Sequence, residues 1–237
     1  INIQNELKPM KWIESIILFG IPTILLLFAT AVAIPFLNEK TNLPIVVCWF
    51  ISSGIFLFIP IFVATFVFAK KEKTGIPILQ RLNVKKLKLY DIFWAFGSIV
   101  VIMIFTSIII LVMTKIKPGF STQPWFLVMQ QLESGTYWIL LAWIPLYFFN
   151  IFGENLFWRG YIFPRQELFF GKYTWLVNGI LWLILHIPFG IDLLITLIPI
   201  ILILPYSYQK THNIFVPILI HGLINGSGFL MVSFGVL

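Results

Sequence analysis

The feature that most constrains this chain is a series of apolar runs, each long enough to cross a membrane. The first, Trp12 to Leu37, contains Glu14 as its one charged residue. About 20 consecutive apolar residues span the hydrocarbon core of a bilayer. Only 11% of the residues are charged, against about 25% in a soluble domain. The sequence therefore predicts an all-α polytopic membrane protein, a bundle of about seven or eight transmembrane helices enclosing an intramembrane polar cavity.

The apolar runs are continuous, whereas the strands of an outer-membrane barrel alternate in segments of about ten residues, so a barrel is excluded. We expect residues 1–237 to form a single membrane domain. The fifth and sixth predicted spans are short and bounded by proline. A re-entrant or strongly tilted segment is therefore an open alternative for one of the two. The predicted spans are Trp12–Leu37, Pro44–Ala69, Ile92–Met113, a fourth that begins at Thr136 and is kinked at Pro145, Tyr173–Pro188, Leu193–Pro205 and Phe215–Leu237.

A basic loop, residues 70–90, sets the predicted topology. Its basic residues are Lys70, Lys71, Lys73, Arg81, Lys85, Lys86 and Lys88, with Glu72 as the one acid before Asp91. The positive-inside rule places this loop in the cytoplasm, and counting back over two spans places the N-terminus there too. The net charge of +7 resides largely in loops, so it predicts a lipid bilayer and not a nucleic acid as the partner.

One stretch, Gly153 to Glu167, contains polar residues deep in apolar sequence. Glu154, Asn155 and Arg159 fall within six residues of one another. A charged side chain near the bilayer centre costs roughly 2.5–3.5 kcal/mol on insertion scales, so such residues suggest a functional site. The alternative is a charge cluster that marks where a span leaves the membrane.

Two later apolar helices contain histidine. Residues four apart share a face of an α-helix, which pairs Trp182 with His186 and His221 with Asn225, and in the central stretch pairs Asn155 with Arg159. Gly222 and Gly226 allow a neighbouring helix to pack closely against the last span. A lone histidine in a membrane is usually a packing residue, so neither histidine alone indicates catalysis.

Together, Glu154, His186, His221 and Asn225 are the groups needed for hydrolysis by an activated water. A carboxylate and an imidazole can take the proton of the water, while His and Asn donors can stabilise an oxyanion. Glu154, His186 and His221 are also a possible catalytic zinc set. The spacing does not favour a Ser-His or Cys-His nucleophile, and the single Cys48 excludes an internal disulfide.

These stretches resemble the CPBP family of CAAX-protease and bacteriocin-processing membrane proteins. The family signature is Glu-Glu-x-x-x-Arg on one helix, an aromatic residue four before a His on a later one, and His-x-x-x-Asn on another. Here these are Glu154-Asn155-x-x-x-Arg159, Trp182-x-x-x-His186 and His221-x-x-x-Asn225, in that order. The flanks, with Pro164-Arg165 and His186-Ile-Pro188, are like the bacterial branch of the family. The resemblance marks 136–237 as the catalytic core and 1–135 as preceding spans.

The resemblance implies an intramembrane endopeptidase of a bacterial cell membrane, with its site in a cavity open to the cytosol. It implies that Glu154 and His186 activate the water and that His221 and Asn225 stabilise the oxyanion. Asn155, Arg159 and Trp182 would support them. The cofactor is left open, because a glutamate mechanism requires none and zinc is the alternative. The substrate would be a membrane-associated peptide or protein.

The chain departs from the signature at Asn155, where the family has its second Glu. We expect the positive charge of Arg159 to interact with the carboxylate of Glu154 instead, since Asn155 has no charge. The departure keeps open a catalytically weak or inactive regulatory or bacteriocin-immunity protein on the same fold. A transporter is a third possibility, with the Glu and His residues as proton-relay groups, but no repeat of the two halves favours it.

Overall fold

The computed structural model describes residues 7–72 and 74–236, and within these ranges it is helical without β-strands. The all-α class is confirmed. Lys73 of the basic loop and Leu237, the predicted end of the last span, lie outside the described residues. The helices are α1 (Trp12–Thr41), α2 (Ile45–Lys71), α3 (Leu89–Ile116), α4 (138–170), α5 (Thr174–Leu185), α6 (Ile191–Thr211) and α7 (Phe215–Ser233), with a short helix Ile78–Arg81 between α2 and α3.

In the described part of the chain, six helical stretches are long and apolar enough to cross a membrane. One of them, Trp138–Leu185, is 48 residues long and contains both α4 and α5, which were predicted as separate spans. It bends at Gly171, whose φ of +56° lies in the region that favours glycine. Helix α5 has 12 residues, about 18 Å at 1.5 Å per residue, and is therefore as short as the sequence indicated.

The connections between helices lie at two opposite ends of the bundle. The basic face is the end that includes the described residues of 70–88; there Asn213 Nδ2 donates to Asp91 Oδ2 at 2.9 Å. At the far face, Trp125 Nε1 donates to the Pro188 carbonyl at 2.7 Å. The Leu132 N–H also donates to the Ser233 carbonyl there, at 2.9 Å. The loops thus alternate between the two faces, as expected for a chain that crosses with each helix.

The helix that carries the central stretch is held from several sides. Trp158 and Ile162 of α4 are fully buried, and Trp158 stacks on Phe19 of α1 with ring centroids 4.3 Å apart. Helix α5 packs so closely on α6 that a Cβ on Gly179 would lie 2.6 Å from the Ile201 carbonyl oxygen. Small residues allow such close approach between membrane helices, and here one fixes the position of α5.

At the basic face, a buried ion-pair network ties the basic loop to α4. Glu72 accepts hydrogen bonds from Arg81 Nη1 at 2.9 Å, from Arg165 through two guanidinium nitrogens, and from the Tyr161 hydroxyl at 3.2 Å. Arg81 and Arg165 are both buried. One carboxylate therefore compensates two buried guanidinium groups.

We expect Glu72→Gln to destabilise the protein by about 3 kcal/mol, because removing one partner of a buried ion pair leaves the other charges uncompensated. The measurement is thermal and denaturant unfolding in detergent. The control is Glu39→Gln, since Glu39 pairs with the exposed Lys40 and its own side chain is 75% exposed. Equal stability of the two variants would contradict this role of Glu72.

Candidate active site

The polar stretch of α4 is not an ordinary α-helix. It is π-helical over Phe149–Gly153 and Asn155–Ile162. A π-turn bonds residue i to i+5, and such turns are frequent at functional sites. In this segment residues five apart therefore come close on one face, as residues four apart also do.

This geometry changes the predicted pairing of Asn155 with Arg159. Glu154 and Arg159, which are five apart, both contact Trp182. Asn155 instead donates to the Ile151 carbonyl at 2.7 Å and lies 3.2 Å from His221 Nδ1. Among the described residues, no hydrogen bond joins Arg159 to Asn155. Arg159 lies beside Glu154 on the same indole, as expected from the lack of charge on Asn155.

The Glu154 carboxylate is buried, with 3% of its surface exposed, and each oxygen has a donor. Asn150 Nδ2 donates to Oε1 at 2.6 Å, and Trp182 Nε1 donates to Oε2 at 2.8 Å. Hydrogen bonds to a carboxylate are roughly twice as strong as those between neutral groups. The two donors fix the orientation of the carboxylate and leave further lone pairs for a proton or a water.

The Trp182 ring lies at the centre of the cluster. Arg159 is fully buried, and its Cζ lies 3.8 Å from the ring centroid. Within the described ranges, none of the Arg159 guanidinium nitrogens has a hydrogen-bond partner. The rings of His186 and His221 meet Trp182 edge-on, with centroids 5.1 and 5.5 Å away. Arg159 is therefore held by a cation–π contact next to the carboxylate that shares the same indole.

His186 is oriented by the backbone of its own helix. Its Nδ1 lies 2.7 Å from the Trp182 carbonyl oxygen, which can only accept a hydrogen bond. Nδ1 must therefore carry the hydrogen, and in the neutral ring Nε2 keeps a free lone pair. That tautomer is the one a general base requires.

His221 is held between two amides. Asn155 Nδ2 lies 3.2 Å from Nδ1, and Asn225 Nδ2 lies 2.9 Å from Nε2. A neutral imidazole accepts at only one nitrogen, so it cannot pair with two amide nitrogens at once. Because Asn155 Nδ2 also donates to the Ile151 carbonyl, its orientation is determined and Nδ1 accepts. The neutral ring then carries its hydrogen on Nε2, and the Asn225 amide must be turned over for its oxygen to accept that hydrogen.

Two residues of this cluster escaped the sequence analysis. Asn150, a donor to Glu154, lies four residues before it. An isolated polar residue in apolar sequence could have indicated a member of the site. The Tyr147 hydroxyl donates to the Gly222 carbonyl at 2.7 Å. A Cβ on either Gly222 or Gly226 would lie 2.9 Å from that hydroxyl, so both glycines do admit a neighbouring helix, and it is α4.

The sequence left open whether a metal ion takes part, with Glu154, His186 and His221 as its possible ligands. In residues 7–72 and 74–236, no group of three His, Cys, Asp or Glu side chains is placed to hold a metal ion. These three instead surround the Trp182 ring, and Glu154 and His221 are already engaged by amide and indole donors. As arranged here, these three side chains do not form a metal site.

Comparison with known proteins supports the assignment made from the motifs. Residues 136–227 match the family model described as Rce1-like, type II CAAX prenyl endopeptidase. The matched residues include every member of the cluster around Trp182. No curated protein and no solved structure matched the chain. Over residues 136–227 the chain is thus similar to the Rce1-like type II CAAX prenyl endopeptidases of the CPBP family.

Proposed function

We propose that this multi-pass membrane protein is an intramembrane endopeptidase that hydrolyses a peptide bond of a membrane-associated peptide or protein. Glu154 and His186 activate the attacking water, and His221 and Asn225 stabilise the oxyanion of the tetrahedral intermediate. The observation that carries the proposal is the convergence of a buried carboxylate and two imidazoles on one indole, from three different helices.

Each group has a distinct part in this reaction. The free Nε2 lone pair of His186 and the unused lone pairs of Glu154 can accept a proton from water. The donors for an oxyanion are the amide N–H₂ of Asn225 and the Nε2–H of His221, which exchanges its bond to the Asn225 amide for one to the oxyanion. Arg159 places a positive charge beside Glu154, because both side chains contact the same indole.

A peptidase assay in liposomes on a panel of fluorogenic peptides tests the proposal. Wild type is compared with His186→Ala, each with and without a chelator. We expect the variant to lose about 10²–10⁴-fold in kcat, the usual contribution of a general base. Equal activity of the two proteins would indicate a contaminant and contradict the proposal. Loss of wild-type activity with chelator, restored by zinc, would show that a metal takes part.

We expect Asn155→Glu to raise turnover by roughly tenfold, equivalent to about 1.4 kcal/mol. A carboxylate at this position would face His221 Nδ1 and favour the imidazolium, which is a stronger oxyanion donor. The measurement is kcat, with the unfolding temperature as the check on the fold. Asn155→Asp, which conserves the volume of the amide, is the matched variant. An unchanged or lower rate in both would count against the idea.

We further propose that the basic face is cytoplasmic and that the N-terminus lies on that side of a bacterial cell membrane. The described basic residues of 70–88 at that face support this through the positive-inside rule. The substrate classes to be tested are a prenylated tail, a bacteriocin or signalling-peptide precursor, and a membrane-protein segment.

A regulatory or bacteriocin-immunity protein on the same fold is the second candidate. The observation that favours it is Asn155, whose amide binds His221 where a carboxylate is expected from the family signature. It would be supported if folded wild-type protein hydrolysed none of a broad peptide panel while Asn155→Glu did.

A further inference from the structure

The membrane-facing surface carries an apolar groove between α3 and α6. It encloses about 470 Å³ and is lined by Tyr90, Phe93, Trp94 and Val101 of α3 and by Ile203 and Tyr206 of α6. From Tyr90 to Val101 the groove extends about 16 Å at 1.5 Å per residue. That is roughly half of the 30 Å hydrocarbon core. Because Tyr90 lies in the first turn of α3, the groove spans the leaflet next to the basic face.

Three lysines lie in sequence next to the residues at the basic end of the groove, and we call them the rim. Lys88 directly precedes α3, which begins at Leu89, and Lys86 lies two residues earlier. Lys210 lies one turn beyond Tyr206 on α6, with its Nζ 5.1 Å from the Tyr206 ring. All three lysines are exposed. Across the described residues, none of them lies within ion-pair distance of a carboxylate.

The acidic group nearest in sequence to this rim is otherwise engaged. Asp91 is buried, and its carboxylate accepts from the Lys88 backbone N–H and from Asn213 Nδ2, both at 2.9 Å. The rim charges are therefore available to an external anion at the depth of lipid headgroups.

We propose that the groove binds an anionic phospholipid, with one acyl chain between α3 and α6 and its headgroup against Lys86, Lys88 and Lys210. The length of the groove fits the depth of one leaflet, and the charged rim fits the phosphate at its end. A free isoprenoid chain would use the groove but not the rim. A zwitterionic lipid has no net charge for the three lysines to attract.

Two substitutions separate the groove from its rim. Gly97 lines the groove, and a Cβ built on it meets no atom within 4 Å, so Gly97→Leu fills the groove without a clash. Its control is Gly20→Leu on α1, where a Cβ also meets open space. Lys86→Gln with Lys88→Gln removes two rim charges. Its control is Lys70→Gln with Lys71→Gln, which removes two charges at the same face but at the end of α2.

Delipidated protein is titrated with phosphatidylglycerol or phosphatidylcholine, and the one-to-one adduct is followed by native mass spectrometry. We expect wild type to prefer phosphatidylglycerol. The Lys86/Lys88 double variant should lose that preference, with binding about 25-fold weaker, since each lysine near an anionic surface contributes about fivefold. Gly97→Leu should lose the adduct with both lipids, and both controls should behave as wild type.

Three results would overturn the proposal: equal affinity for the two lipids, unchanged binding of phosphatidylglycerol in the Lys86/Lys88 double variant, or an equal loss in the Lys70/Lys71 control. A further arm adds farnesylcysteine methyl ester. If it displaces phosphatidylglycerol from wild type and from the Lys86/Lys88 double variant equally well, the groove takes an isoprenoid and not an anionic lipid. If Gly97→Leu fails to fold, the lysine variants alone decide.

Discussion

Glu154→Gln is expected to lower kcat by about 10³-fold while the protein remains folded. The amide of glutamine has nearly the same shape as the carboxylate, so it fills the same space beside Trp182. It cannot take a proton from water, and loss of a general base usually lowers the rate by about 10²–10⁴-fold. The amide N–H₂ of the glutamine must also face either Asn150 or Trp182. Both of these side chains donate to the native carboxylate, so one of the two hydrogen bonds is lost.

The measurement is kcat with the best peptide of the panel, at saturating substrate, alongside the unfolding temperature. Glu133→Gln is the matched control, since Glu133 is exposed in the loop before α4 and, among the described residues, makes hydrogen bonds through its backbone atoms alone. A Glu154→Gln protein as active as the Glu133→Gln protein would rule out Glu154 as the base. A loss of activity with a collapsed unfolding temperature would be a folding effect, and Glu154→Asp would then separate the two.

Trp182→Ala is expected to produce the largest loss of stability of any single substitution at the site, about 3–5 kcal/mol, the usual range for a buried Trp→Ala change. The side chain is 2% exposed and contacts Glu154, Arg159 and both histidines. Its removal leaves a cavity and deprives the buried guanidinium of its cation–π partner. Denaturant unfolding in detergent measures the change.

Trp182→Phe separates packing from hydrogen bonding at the same position. Phenylalanine keeps an aromatic face for Arg159 but has no N–H for Glu154. We expect it to retain most of the stability and to lower kcat, because the carboxylate loses one of its two donors. Trp138→Ala, at a 43% exposed position, is the control for removing an indole from a membrane helix. If Trp182→Ala unfolded no more readily than this control, the central role of the indole would be wrong.

The sequence predicted the helical class and, through three motifs, the residues that meet in the bundle. Apolar length determines membrane helices, and polar groups in lipid avoid exposure, so Glu154, His186 and His221 were expected to face a common interior. The predicted number of helices roughly matches the structure, although α4 and α5 follow one another within one 48-residue stretch with only a bend at Gly171 between them.

The internal order of the cluster could not be derived from spacing. The bond from Trp182 to Glu154 joins two helices 28 residues apart in sequence, and no periodicity specifies such a pairing. The partners of Asn155 and Arg159 depend on the π-helical turns of α4, and no pattern of residues predicted those turns. A π-turn is a property of how a helix packs against its neighbours as much as of its own residues.

The π-helical segment also makes this part of the chain tolerant of a change in length. A π-turn accommodates one residue more than an α-turn, so deleting a residue between Phe149 and Glu154 would let the turn relax to the α form while the helix on either side keeps its orientation. Each residue of an α-helix advances about 100° around the axis. A deletion in the α-helical part of α4 before Phe149 would therefore turn Tyr147 away from Gly222 when Glu154 faces Trp182, even though every motif residue was still present. In relatives of this protein, a one-residue gap just before the glutamate would therefore be compatible with the site, whereas a gap earlier in the same helix would not.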